Sequence, residues 1–290
     1  MNIYFVDKMS EGDVDNQLYA MRDAGFKFTT LAEADFIYVA AISQMKKAIH
    51  TRNTSGKPMI VYCWDYYLWS HGKINMSGDW NVYADGLRMA EIIFVPSKGQ
   101  QLRLKELLGL RSYVVRTGIP VREIDKPIYT GEISDGGFIL DPLRHYPEEN
   151  ETWAEDAAKE LGIPLIHTEH GHSPEEFHKL VETCRFTVCA VREASTGTLT
   201  VAEALYLGKP ALLSNSPYQG GWDYVGKYAR PFQYDDFEDL KRVMKEMWEN
   251  TPKVDLLKAR AYLDRRCSYK QMAEGMIKIM RKHLGGMEGK

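Results

Sequence analysis

The sequence predicts an α/β fold with parallel sheets in two domains, on three observations. Short apolar, β-rich runs recur along the chain, at residues 2–6, 36–40, 59–62, 92–95, 186–191 and 211–214. Continuous runs of this kind read as strands buried on both faces. Stretches with helical spacing alternate with them, and such alternation builds parallel sheets. Residues 126–137, rich in Pro, Gly and polar side chains, read as a linker between two halves.

Composition sets the outer bounds. With 290 residues, 44% hydrophobic and 27% charged, the chain suits two domains of ordinary size. No apolar run has the length of a membrane-spanning helix, and MNIYFVDKMSEGD lacks the charged start and cleavage site of a signal peptide. A cytoplasmic protein is expected. Cys63, Cys184, Cys189 and Cys267 are scattered, and Cys184 and Cys189 lie in or beside an apolar run, where a free cysteine behaves as a small hydrophobe. A net charge of −3 argues against general nucleic-acid binding and leaves room for a local basic face.

In the first half, residues 2–6 open the fold as a strand, and residues 15–24 have helical spacing ended by Gly25. Gly12 is the single glycine of the intervening turn and reads first as a turn residue. The strand at 59–62 runs into Cys63-Trp64-Asp65-Tyr66-Tyr67-Leu68-Trp69; with Trp80 and Tyr83 this places six aromatics between positions 64 and 83. They read either as a stacking platform for a sugar ring or base, or as a hydrophobic cluster under a long loop. The strand at 92–95 leads to Ser97, a cap for a helix over 100–108. A strand over 112–116 then reaches a turn at Gly118.

In the second half, a strand begins at Phe138. His167, His170 and His172 fall within six positions, but not at the spacing of a zinc loop, and a helix starting at Ser173-Pro174 takes over at once; no metal is expected. After the run at 186–191 come the small residues Ser195, Thr196, Gly197 and Thr198, which let backbone N–H groups approach a ligand. Thr200 and Glu203 have capping-box spacing and predict a helix over 201–207, closed by a left-handed Gly208 and by Pro210. A loop at the carboxyl end of a strand, leading into a helix N-terminus, favours an anion such as phosphate. Residues 237–249, 254–263 and 269–284 have helical spacing; the last carries an apolar stripe at 272, 276, 279, 280 and 284.

Glu203-Ala204-Leu205, followed by Leu207-Gly208-Lys209-Pro210 and preceded by the Gly/Thr loop, resembles the donor-site motif of retaining GT-B glycosyltransferases of the family 4 type (group 1). The resemblance implies two Rossmann-like domains with parallel sheets facing a cleft: an acceptor-side domain over 1–125, a nucleotide-sugar domain over 126–268, and a last helix over 269–290 crossing back to the first domain. It implies a metal-independent hexosyl- or pentosyltransferase with a UDP- or GDP-sugar donor. Glu203 matches the family glutamate that holds the ribose hydroxyls. The partner glutamate of the motif falls on Ser195, and Glu193 is the nearest acid. Ser195, Thr196, Gly197, Thr198, Leu199 and Thr200 would bind the donor, with Gly197 to Leu199 stabilising its departing diphosphate. The family's arginine matches Arg144, ahead of Pro147-Glu148, while Glu149 stands where its lysine would. Lys209 and Arg192 are candidates for the missing cation. His170 and Gly171 would line the base pocket, Gly118 would lie at the cleft, and Asp65 would sit beside the reacting sugar. Asp65, Arg144 and Glu193 are therefore the catalytic candidates. Ser195 and Glu149 motivate a second reading, a non-catalytic nucleotide or sugar-nucleotide binding protein on the same scaffold.

Charge bears on the acceptor. Residues 98–122 hold six basic side chains against Glu106, and residues 258–282 hold eight against Asp264 and Glu274. If both segments lie on the first domain, the face they form suits an anionic acceptor, a modified DNA base or a lipid head group.

Overall fold

The computed structural model describes residues 1–6, 12–40, 42–63, 80–119, 138–140, 152–166, 174–190 and 198–284. The chain divides into two compact units, Met1–Gly118 with Cys267–Lys290 in one and Ile119–Arg266 in the other.

In the first unit, β1 (Asn2–Phe5), β2 (Lys27–Phe28), β3 (Phe36–Val39), β4 (Met59–Tyr62), β5 (Ile92–Val95) and β6 (Tyr113–Val114) form one sheet. Its order is β2-β1-β3-β4-β5-β6 and every neighbouring pair is parallel. All four residues of β3, β4 and β5 are buried, as their unbroken apolar runs require. The connections carry α1 (Gly12–Asp23), α2 (Met45–Ser55), α3 (Trp80–Met89) and α4 (Lys98–Leu108). Ser97 caps α4 as its sequence position suggests, its Oγ accepting from Gln100 N at 3.1 Å.

Buried amides secure the carboxyl ends of these strands. Gln44 Oε1 accepts from Ala40 N at 3.0 Å, and Gln100 Nε2 donates to the Cys63 carbonyl at 2.6 Å. Gln17 of α1 bonds the Tyr38 hydroxyl, whose burial pushes its ionisation well above the ordinary tyrosine range. The Tyr62 hydroxyl donates to the Val115 carbonyl at 2.7 Å.

The second unit repeats the plan with β7 (Phe138–Leu140), α5 (Trp153–Leu161), β8 (Leu165–Ile166), α6 (Pro174–Thr183), β9 (Thr187–Cys189), α7 (Thr198–Tyr206), β10 (Ala211–Ser214), α8 (Gly221–Val225) and β11 (Ala229–Phe232). The sheet order is β11-β10-β9-β7-β8, again wholly parallel. On one face Ala154, Ala157 and Ala158 of α5 meet Leu240, Val243, Met244 and Met247 of α9 (Phe237–Glu249) over Phe186, Val188, Leu212 and Phe232. Small alanines on one helix leave room for long side chains on the other, which is how two helices pack to full density on one sheet.

α10 (Leu256–Cys267) and α11 (Tyr269–Leu284) end the chain. Met272, Ala273, Met276, Ile277 and Met280 of α11 are buried against Ile3, Tyr38, Tyr62 and Phe94 of the first sheet, beside Met21 and Phe26. Each large side chain fully buried there contributes roughly 1.5–3 kcal/mol. The last helix thus belongs to the first unit's core, on the stripe the spacing predicts, except that Ile277 is its fully inward isoleucine and Ile279 packs at its margin.

Two expectations change. The helix read as 201–207 runs from Thr198 to Tyr206, so Thr200 lies within it rather than capping it, and Leu207 N, just past its end, donates to Glu203 O at 3.0 Å. Thr-x-x-Glu spacing also fits two residues inside a helix, and here the helix N-terminus lies further upstream. The basic stretch 258–282 is cut by the unit boundary between Arg266 and Cys267. Lys258, Arg260, Arg265 and Arg266 fall in the second unit, and only Lys270, Lys278, Arg281 and Lys282 join the first.

The docking of α11 can be probed at one glycine. A Cβ on Gly118 would lie 2.5 Å from the Tyr269 Cα, so the helix start itself would have to shift. A Cβ on Gly86 of α3 would instead meet the Met45 side chain, with Cγ 2.5 Å away, and a thioether can swing aside. Gly118→Ala is expected to lower unfolding stability by about 1–3 kcal/mol in urea, and Gly86→Ala by clearly less, since helix propensity offsets part of its cost. Equal losses in the two variants would contradict this account.

Candidate functional site

Open α/β sheets take ligands outside the carboxyl ends of their strands, where the strand order reverses. In the second sheet that point lies between β7 and β9, paired with Ile139 opposite Thr187 and Leu140 opposite Val188. β7 leads in sequence to Arg144, and β9 leads to Glu193 and Ser195. Asp65, Arg144, His170, Gly171, Glu193, Ser195, Thr196 and Gly197 lie outside the described residues, as do Glu149 and Arg192.

The remaining site candidates are placed. Thr198, Leu199 and Thr200 form the first turn of α7, whose N–H groups have no partner within the helix. Glu203 follows in the second turn as the one charged residue of TLTVAEALY. Val201, Ala202, Ala204 and Leu205 around it are each at most 1% exposed. A carboxylate in so apolar a setting costs stability unless other groups compensate it, so the residue type calls for a reason beyond packing. Gly118 packs against Tyr269 inside the first unit. Of the aromatics between positions 64 and 83, Trp80 and Tyr83 are described: both belong to α3, with ring centroids 6.1 Å apart, and Tyr83 is buried. Tyr83 thus offers no open ring face for stacking, while Trp80 beside it is half-buried.

Sequence reasoning missed two polar groups here. His178 of α6 is buried, and its Nε2 lies 3.9 Å from Glu203 Oε2. The signal was present in PEEFHKLVET, where His178 precedes Val181 on the inward stripe of the helix, a position that ordinarily takes an apolar side chain. Gln219, after β10, is the other. Its Nε2 donates to Cys189 Sγ at 3.4 Å and its Oε1 accepts from Gly221 N at 3.1 Å, which ties the end of β9 to the start of α8.

Lys209 does not supply the missing cation. Its buried Nζ donates to the carbonyls of Glu182 at 3.0 Å and Cys184 at 2.7 Å, closing the C-terminal end of α6. A cation suits that end of a helix, where unpaired carbonyls and the dipole concentrate negative potential. Desolvation holds the Lys209 ammonium below its ordinary pKa and pushes the neighbouring Cys184 thiol up to about 12, leaving that cysteine unreactive. The left-handed Gly208 that turns the chain toward Lys209 is present as expected, with φ of 86°. Among the described residues no three His, Cys, Asp or Glu side chains gather to hold a metal ion, and no helix is long and apolar enough to cross a membrane.

No family model matches this sequence, and no curated protein does. Solved structures do resemble it. HepE from Anabaena, in complex with UDP and glucose, superposes with a TM-score of 0.68 at 12% identity, covering 97% of this chain and 100% of that one. Sucrose-phosphate synthase from Thermosynechococcus elongatus gives 0.66 at 10% identity, covering 99% of this chain and 100% of its own. A glycosyltransferase from Rickettsia africae gives 0.62 at 11% identity, covering 96% and 84%. The fold is GT-B. In GT-B terms, α7 is the helix that follows the third strand of the C-terminal Rossmann-like unit.

Lys209 gives this site a structural control. Its folded pKa is depressed below the ordinary 10.5, so the unfolded chain binds the proton more strongly. The contribution of this group to stability is then fully present above pH 10.5 and lost as pH falls through the folded value. Lys209→Met is expected to remove that pH dependence. It also leaves two carbonyls short of a donor, at roughly 1–3 kcal/mol in denaturant unfolding. Parallel stability–pH curves for wild type and variant would refute the assignment.

Proposed function

We propose that this GT-B protein is a glycosyltransferase of the family 4 type, moving a sugar from a nucleotide-sugar donor to an acceptor with retention and without a metal ion. The observation that carries the reading is the pairing of β7 with β9, which makes neighbours of the two strands leading into the motif segments of Arg144 and of Ser195 to Glu203. In this reading residues 1–125 form the acceptor side, residues 126–268 hold the nucleotide sugar, and the last helix returns to the first domain. The protein acts in the cytoplasm on a hexose or pentose donor.

As the bond from the anomeric carbon to the diphosphate breaks, its electron pair passes to the leaving oxygen. Backbone N–H groups from Ser195, Thr196, Gly197, Thr198, Leu199 and Thr200, at the positive end of the α7 dipole, meet that growing charge together with Arg144. Glu203 accepts hydrogen bonds from the ribose hydroxyls, His170 and Gly171 line the base, and Gly118, Asp65 and Glu193 belong to the sugar and acceptor side. HepE has been solved with UDP-glucose, which makes that compound the first donor to try; GDP-sugars follow.

Thermal-shift and calorimetric titration with UDP, GDP and their sugars tests the donor, because a ligand of the native state raises its melting temperature. Glu203→Gln is expected to weaken nucleotide binding by about 1–3 kcal/mol, the loss of a charge-assisted hydrogen bond, with little change in melting temperature. A lower melting temperature with unchanged nucleotide affinity would assign Glu203 to structure alone. Binding without turnover or slow hydrolysis across the sugar panel would leave a nucleotide-binding protein and no transferase.

The acceptor is proposed to be anionic. Lys98, Arg103, Lys105, Arg111 and Arg116 share the first unit with Lys278, Arg281 and Lys282, and the two segments meet where Tyr113 contacts His283, with the Arg111 guanidinium over the Tyr113 ring. Binding to duplex DNA or to anionic vesicles is expected to weaken steeply as salt rises from about 50 mM. No binding to either at that salt would favour a neutral acceptor.

A further inference from the structure

Helices α6 and α7 are the crossovers on either side of β9, and His178 and Glu203 face each other between them well below the helix N-termini. His178 Nε2 stands 3.9 Å from Glu203 Oε2, with the two side chains 3% and 16% exposed. That separation is ion-pair range and longer than a hydrogen bond. The imidazole occupies the inward stripe of α6 with the fully buried Val181, and the Phe177 ring lies 6.0 Å from it. A histidine in such a stripe costs stability that an aliphatic residue would not, and so does a carboxylate in α7; each reduces the cost of the other.

We propose that His178 is a positioning residue for the donor: it holds Glu203 Oε2 from the α6 side, so that the carboxylate is presented to the ribose hydroxyls in one orientation. The inference rests on the reading of Glu203 as the ribose-binding carboxylate. A glutamate has three rotatable side-chain bonds and, on a helix surface, samples several rotamers. Anchoring one oxygen from a buried group on the next helix removes that freedom before the nucleotide arrives, and preorganisation of this kind raises affinity by lowering the ordering cost. His178 need not touch the nucleotide. Its effect is confined to the part of the ligand that Glu203 contacts.

That confinement provides the test. Affinities are measured by calorimetry for UDP, 2′-deoxy-UDP, GDP and 2′-deoxy-GDP with wild type, Glu203→Gln, His178→Ala, His178→Gln and the double variant His178→Ala/Glu203→Gln, each checked for a cooperative melt. Wild type is expected to prefer the ribonucleotide. Glu203→Gln should abolish most of that preference, and His178→Ala should reduce it by several-fold, up to on the order of tenfold, the scale of an electrostatic contact in a partly buried site. His178→Gln, which keeps a donor in the same place, should restore part of it. The double variant should lose no more preference than Glu203→Gln alone, because the two residues act as a unit. If His178→Ala and His178→Gln lower the melting temperature but keep the wild-type ribose preference, His178 is only a packing residue and the inference falls while the role of Glu203 stands. If Glu203→Gln itself leaves the preference unchanged, the ribose reading falls and this inference with it.

Discussion

Parallel pairing of β9, with β7 on one side and β10 on the other, is the constraint from which the second unit's site follows. Parallel strands need a crossover between them, and each crossover brings the chain back to start the next strand at the same edge. Every loop that leaves a strand therefore leaves from the opposite, carboxyl edge, and the helix that follows presents its N-terminus there. Because the order reverses between β7 and β9, their crossovers run in opposite directions and leave a crevice between them. The motif segments stand far apart in the sequence. They acquire neighbouring origins only through the register of Ile139 with Thr187 and Leu140 with Val188.

The short motif of α7 then does two different kinds of work. Glu203 faces α6 through His178, while Lys209, just past the helix, faces the end of α6 through the Glu182 and Cys184 carbonyls. Both bind α6 to the segment around α7, at two heights along the helix. Gly208 makes this geometry reachable, since a left-handed residue at that point turns the chain so that Lys209 points toward the end of α6 and Pro210 leads into β10. A motif that reads as a ligand-binding signature is thus partly a clamp. Its lysine serves the fold, and its glutamate, which faces His178, is the member proposed to meet the donor.

How much of this was legible follows from what each element exposes. β3, β4, β5 and β10 are buried along their whole length, and their unbroken apolar runs announced them. β11 reads ARPF with Arg230 and Pro231 exposed; an edge strand tolerates both, so nothing in the residues marked it. α5 hides its inward face in three alanines, which carry little hydropathy yet pack as tightly as larger residues. The start of α7 was misread because Thr200 and Glu203 have capping-box spacing within the helix body. Glu203 was found through its motif, but His178 was not, because its importance depends on which face of α6 meets α7, and that is a tertiary fact. The three catalytic candidates, Asp65, Arg144 and Glu193, fall outside the described residues, so their roles rest on sequence.

Charge shows the same difference between counting along the chain and placing groups in space. The basic run from Lys258 to Lys282 looks continuous, yet the chain passes from one unit to the other between Arg266 and Cys267. On the second-unit side the cations are engaged locally. Arg260 donates to the Tyr206 carbonyl at 3.0 Å, Arg266 to the Asp223 carbonyl at 3.1 Å, and Lys258 pairs with Asp255 at 2.9 Å. On the first-unit side, α11 turns its methionines inward, which leaves Lys270, Lys278, Arg281 and Lys282 on its outer surface. The helix period thus decides which charges face solvent, and the unit boundary decides which of them can act together. Of the basic run, the α11 half is the part that can join the cations around α4 and β6 in attracting a large anion to the first unit. Docking α11 on the first sheet is what brings those two groups of cations together.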